Sequence, residues 1–169
     1  MKFASTMKKY GIESDEYKQL GARQDKKDSI NVLKVTKILD EYGWLGRDVI
    51  GKEGNTTLFL VIQHADIKIQ EKYLPMMREA VKKHHASGAA LAMLEDRVAL
   101  GQGRKQIYGS QVQTGADGVM YVSPLDDPDH VDKRREEVGL GPIAEYLQNW
   151  DIKWDVETYK KQLPELEKK

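Results

Sequence analysis

The sequence predicts a mainly α fold, a single-domain helical bundle with one small β-hairpin at about residues 105–123. Three observations predict it. Apolar residues recur at three- and four-residue spacings along most of the chain. The stretches TTLFLVIQHAD (56–66) and AALAMLEDRVAL (89–100) are apolar on nearly every face. Strand-like alternation is confined to QIYGSQVQ (106–113) and VMYVSP (119–124). A chain of 169 residues can bury a core without staples, so one domain over 1–169 is expected, with 1–13 and 156–169 peripheral.

The elements follow in order. Leu20, Ile30, Leu33, Val35, Ile38 and Leu39 mark amphipathic helices over 14–42, with a break expected near Asp28 or Ser29 and a stop at Gly43. Residues 44–55 hold three glycines and no sustained period, which reads as a loop ending where Thr56 or Thr57 caps a new helix. The run LFLVI (58–62) is compatible with a buried strand or a buried helix; the helix is preferred. Asp66 suits the N-cap of a helix running to His84 and His85, in which Pro75 should kink or restart the backbone ladder. Ser87 and Gly88 open the next helix, whose polar triplet Glu95, Asp96, Arg97 interrupts an otherwise buried surface. The two short strands are joined by the turn TGADG. The tail reads as a charged helix around VDKRREEV, a break over Gly139–Gly141, a short helix started by Pro142, and a polar surface helix from Asp155.

Composition excludes several function classes. Lys plus Arg and Asp plus Glu both total 27, so no global positive field holds a polyanion, and nucleic acid is not an expected partner. The absence of cysteine excludes thiolate metal sites, disulfides and cysteine nucleophiles. No apolar run approaches the length that spans a bilayer, so no membrane partner is expected. The opening MKFASTMKKYG lacks the apolar core of a signal peptide, which leaves a cytoplasmic protein or an exported mature form. GQGRK lacks the phosphate-loop spacing, YGSQV is not a nucleophile elbow, and the acidic stretch 126–132 lacks calcium-loop spacing; no metal and no cofactor are expected.

The polar candidates lie within the apolar segments. His64 shares a helical face with Leu60 and Val61, where a partly shielded imidazole suits general acid or base work, or simply a structural hydrogen bond. Asp66 either orients His64 or only caps a helix. Asp96 and Arg97 must be paired if buried, because an unpaired buried charge costs several kcal/mol. Asp96 is expected to meet His64 or a hairpin group, and Arg97 to present its fork to a carboxylate or phosphate; a structural ion-pair network explains both equally. Strand alternation would place Gln106, Tyr108 and Ser110 on one face and Gln111 on the other, as ligand contacts or as core and solvated surface.

Taken together, QHAD (63–66), LEDRV (94–98), GRKQIYGSQ (103–111) and VDKRREEVGLGPIAEY (131–146) resemble an uncharacterised bacterial domain family of unknown function. Its members show QHAD, a DRV helix, Q-x-YGTQ and a VD-x-RR…VGL-x-P-x-x-EY tail. The resemblance covers roughly residues 24–148 in the same order. It implies that Gln63, His64, Asp66, Asp96, Arg97, Gln106, Tyr108, Gly109, Gln111, Arg134 and Arg135 occupy the motif positions of a shared polar site. This chain departs by Ser110 in place of Thr and Gly141 in place of Pro, and RQDKKDSIN (23–31) only loosely matches the family's acidic-Gln segment. Export leaders are common among family members.

Two function classes fit. One is a metal-independent hydrolase or lyase acting on a small polar or anionic substrate. Its acid or base would be His64, its orienting carboxylate Asp66 or Asp96, its anion clamp Arg97 and Arg135, and its positioning groups Gln63, Gln106, Tyr108, Gln111 and Arg134. The other is a non-enzymatic ligand-binding or protein-interaction module whose motif residues form a structural polar network.

Overall fold

A computed structural model describes residues 2–115 and 118–168. The chain forms helices α1 (Lys2–Tyr10), α2 (Asp15–Tyr42), α3 (Arg47–His64), α4 (Ile67–Lys82) and α5 (Gly88–Gly101), then strands β1 (Val112–Thr114) and β2 (Met120–Val122), then helices α6 (Val131–Glu137), α7 (Ile143–Leu147) and α8 (Val156–Leu166). The mainly α fold with one antiparallel hairpin is therefore as expected, with Val112 opposite Val122 and Thr114 opposite Met120. The expected turn TGADG includes residues 116 and 117, which lie outside the described residues.

Local chemistry accounts for most helix ends. Ser14, Asp66, Ser87 and Asp155 each accept a backbone N–H three residues on, at 3.2, 3.0, 3.4 and 2.7 Å, satisfying donors that a helix start leaves orphaned. Gly43 ends α2 with φ 71°, its N–H bonded to the Leu39 carbonyl. The LFLVI run is helical, within α3.

Four expectations are corrected. The break near Asp28 or Ser29 is absent, because the polar side chains bond inside the helix: Ser29 Oγ donates to the Asp25 carbonyl at 2.8 Å and Gln24 to Asp28 at 2.9 Å. Residues 47–55 are helical rather than a loop, since Gly51 takes φ 71° and lets two short helical pieces join at a kink. Asn55 fixes that kink by donating to the carbonyls of Leu45 and His85 at 2.8 and 2.7 Å. Pro75 neither stops nor restarts α4, which runs through it with the ring on the exposed side. The fourth concerns residues 106–111, which do not belong to the first strand. The ladder begins only at Val112, and among the described residues the one strand-like pairing before it is a parallel bridge between Gln106 and Leu125.

The apolar interior has two centres. Helices α2 to α5 enclose the first, with Leu39, Trp44, Ile62, Tyr73, Met77 and Leu94 among its buried members. Strand β2 and helices α6 to α8 enclose the second, around Leu125, Ile143, Leu147 and Tyr159. Tyr159 pins α8 there: its hydroxyl donates to the Ser123 carbonyl at 2.9 Å and accepts from Leu125 N–H at 2.7 Å. Residues 106–111 run between α5 and α6.

Candidate functional site

The motif residues build a latch around the segment QIYGSQ. Asp96, fully buried on α5, accepts three backbone N–H groups: Ile107 at 2.6 Å and Tyr108 at 2.9 Å on Oδ1, and Ser110 at 2.9 Å on Oδ2. These donors fold around the carboxylate because Gly109 adopts φ 65°, a conformation that side chains disfavour. A Cβ at Gly109 would also lie only 2.6 Å from Ile143 Cδ1. Burial pushes the Asp96 pKa above the ordinary carboxylate value, against the pull of the three N–H donors.

Gln106 closes the same segment from within. Its amide NH₂ donates to the carbonyls of Gln111 and Ser123 at 3.0 and 2.8 Å, and its oxygen accepts Gln111 N–H at 2.9 Å. The carbonyls are taken from the other side by α6 and α7. Arg134 Nε reaches Ile107 at 2.9 Å, Arg135 reaches Tyr108 at 2.7 Å and Gly141 at 2.6 Å, and the Tyr146 hydroxyl reaches Ser110 at 2.7 Å. The Arg135 guanidinium stacks over the Tyr146 ring, 4.9 Å from its centroid. Gln111 donates to Ser110 Oγ at 2.9 Å, and the Tyr108 hydroxyl lies 3.5 Å from Glu95, itself held by Arg78 at 2.8 Å. The expected two-faced arrangement of Gln106, Tyr108, Ser110 and Gln111 is thus replaced by a loop whose hydrogen bonds go to side chains. Buried Asp96 does have its partner, in the N–H groups of 107, 108 and 110; it makes no hydrogen bond with His64.

His64 lies elsewhere. It is exposed rather than shielded, on the last turn of α3, and its side chain forms no hydrogen bond or ion pair among the described residues. It lines a cleft of about 280 Å³ between α2 and α3 with Gln24, Asp28 and Asn31, over a floor that includes Val32, Leu60 and Val61. None of these residues takes part in the Asp96 latch. Asp66 is spent as the α4 cap. Gln63 is buried, its carbonyl accepts from Gln70 at 2.9 Å, and its side-chain oxygen has no partner among the described residues. Arg97 is half-buried with a buried Nε, and among the described residues that Nε has no partner and no carboxylate pairs with the guanidinium. Burial lowers its pKa from the ordinary arginine value, with the Tyr146 phenol the nearby group acting the other way.

Sequence reasoning assigned no site role to Gln24, Asn31 or Tyr146, although the first two lie in RQDKKDSIN (23–31), the segment that loosely matches the family. The first two were legible as a stripe with Asp28 at spacings of four and three on one helix face, facing wherever His64 packs. Tyr146 stood in the EY of the tail motif. Among the described residues no group of three or more His, Asp or Glu is arranged to hold a metal ion, and no helix is long and apolar enough to cross a membrane.

No curated protein and no solved structure matches the chain. A family model does match, over residues 14–157, a span that contains α2 to α7, the latch and the α2–α3 cleft. The chain therefore belongs to the family described as a family of unknown function, DUF6624.

Proposed function

We propose that this chain is a non-enzymatic module that binds a small polar or anionic ligand, with the motif residues serving as its rigid frame. The observation that carries this reading is the saturation of the latch. Both Asp96 oxygens accept backbone N–H groups, Gln106 is bonded at both ends of its amide, and the Arg134 and Arg135 guanidiniums hold carbonyls. Groups so engaged have their donors and acceptors committed to the main chain and no free fork to offer a substrate. What remains for a ligand is His64 with Gln24, Asp28 and Asn31 around the α2–α3 cleft, and the unpaired cation of Arg97.

A panel of short carboxylic acids and phosphate monoesters, followed by NMR on both protein and ligand, tests this. A member that binds should shift resonances of α2 and α3, lose affinity at least tenfold with His64→Ala, and stay chemically unchanged. Affinity indifferent to His64→Ala would sink the reading.

One observation supports the hydrolase or lyase alternative. The imidazole of His64 has no side-chain partner among the described residues and shares its cleft with the Asp28 carboxylate, a pairing of groups used in general acid or base work. In that reading His64 acts without Asp66 or Asp96. Time-dependent conversion of a bound compound, abolished by His64→Ala at unchanged melting temperature, would establish it in place of the module.

A further inference from the structure

A second cavity, of about 570 Å³, opens where the end of α5 meets the hairpin and α8. Its apolar wall includes Leu100, Pro124 and Leu166, and its polar rim includes Arg104, Lys105 and Glu167. The rim holds two cations and one anion. Glu167 pairs with Lys105 at 2.6 Å, while among the described residues the Arg104 guanidinium bonds only the neutral side-chain oxygen of Gln102. Lys105 and Glu167 side chains are 42% and 41% exposed, so their pair sits in screened, wet surroundings and is readily exchanged.

We propose that this cavity binds an organic anion with one charged head and an apolar body, such as an aryl or short acyl phosphate or carboxylate. The head lies between Arg104 and Lys105, and the body covers Leu100, Pro124 and Leu166. Glu167, at the C-terminal end of α8, is the built-in competitor for Lys105 and is displaced when the ligand enters. This site is separate from the cleft at His64 and stands whether or not that cleft binds anything.

Phenyl phosphate, benzoate and inorganic phosphate serve as probes, titrated into the full chain by NMR at low salt. Phenyl phosphate should bind saturably and shift resonances of the 100–105 segment and of α8. Arg104→Gln and Lys105→Gln should each weaken it about fivefold or more, whereas Glu167→Gln should tighten it severalfold by removing the competing charge. All three side chains are exposed, so melting temperatures should stay near that of the wild type. Comparison with benzoate shows which head the cation pair favours. Binding of inorganic phosphate as tight as that of phenyl phosphate would remove the apolar wall from the account. A neutral or weakening effect of Glu167→Gln, or the absence of saturable phenyl phosphate binding at millimolar concentration, would overturn the proposal.

Discussion

Asp96 shows how a single side chain can organise a segment that has no ladder of its own. Replacing it with Asn keeps the shape but turns one oxygen into an NH₂. That group then faces either the Ser110 N–H or the pair from Ile107 and Tyr108. A buried donor is left facing a donor, which costs about 2–4 kcal/mol when the partner was a charged acceptor. Urea unfolding of Asp96→Asn at pH 7 should show that loss. The sign of its pH dependence follows from the raised pKa. A carboxyl that holds its proton more tightly when folded gains stability as pH falls through the folded pKa toward the unfolded one. The gap between wild type and Asp96→Asn should therefore widen between pH 7 and pH 4. A narrowing gap would mean that the three N–H donors outweigh burial.

Arg97 is the opposite case, a neighbouring charge with no partner. Arg97→Met keeps most of the apolar stem and removes a half-desolvated cation, so the unfolding free energy from urea titration should hold or rise, by up to about 1 kcal/mol. A clear drop would show that the guanidinium makes an interaction essential to the fold.

At the scale of elements, the sequence was readable where periodicity and caps agree, as in α4, α5 and the Asp66 and Ser87 starts. It misled where polar residues satisfy themselves locally. Ser29 and Asp28 look like a break but bond within α2, and the glycines of 46–54 look like a loop although Gly46 is the extended cap of α3 and, within the helix, Gly51 alone leaves the helical region. The QIYGSQ segment alternates like a strand because Ile107 and Gly109 fall between the polar Gln106, Tyr108 and Ser110. Its partners, however, come from positions 96, 134, 135 and 146, and no local pattern encodes pairings that distant. Asp96 is interior as its apolar helix suggested, His64 is not, and the use of the motif residues on main-chain groups was not legible.

The same segment yields an element-scale prediction. Gly109→Ala meets both a disfavoured φ and the Ile143 Cδ1 methyl, and should lose about 2–4 kcal/mol. In an Ile143→Val background that methyl is gone and only the backbone cost remains. A double-mutant cycle should therefore show coupling of roughly 1 kcal/mol or more. Simple additivity would mean that α7 moves aside at no cost.

For the whole molecule, the two apolar centres meet through a polar joint more than through shared core. Trp44 belongs to the first centre, and Trp150 and Trp154 pack against the second. In a Trp44→Phe background, fluorescence reports the second centre while far-UV circular dichroism follows the helices of both. The two signals should coincide during urea unfolding of that variant, then separate when Asp96→Asn is added, with fluorescence changing at lower urea. Coincident transitions in both would show that the centres unfold together without the joint.

The latch also sets an order of events along the chain. The 106–111 segment takes its N–H acceptor from α5, made before it, and its carbonyl donors from α6 and α7, made after it. It cannot become ordered until residues up to Tyr146 have been placed, so it should condense late, after the crossing of the main folding barrier. Gly109→Ala should then accelerate unfolding while leaving the refolding rate nearly unchanged in stopped-flow traces. During synthesis this stretch stays unprotected until Tyr146 has been made, well after its own residues, and a protease acting on nascent chains of intermediate length should cut there.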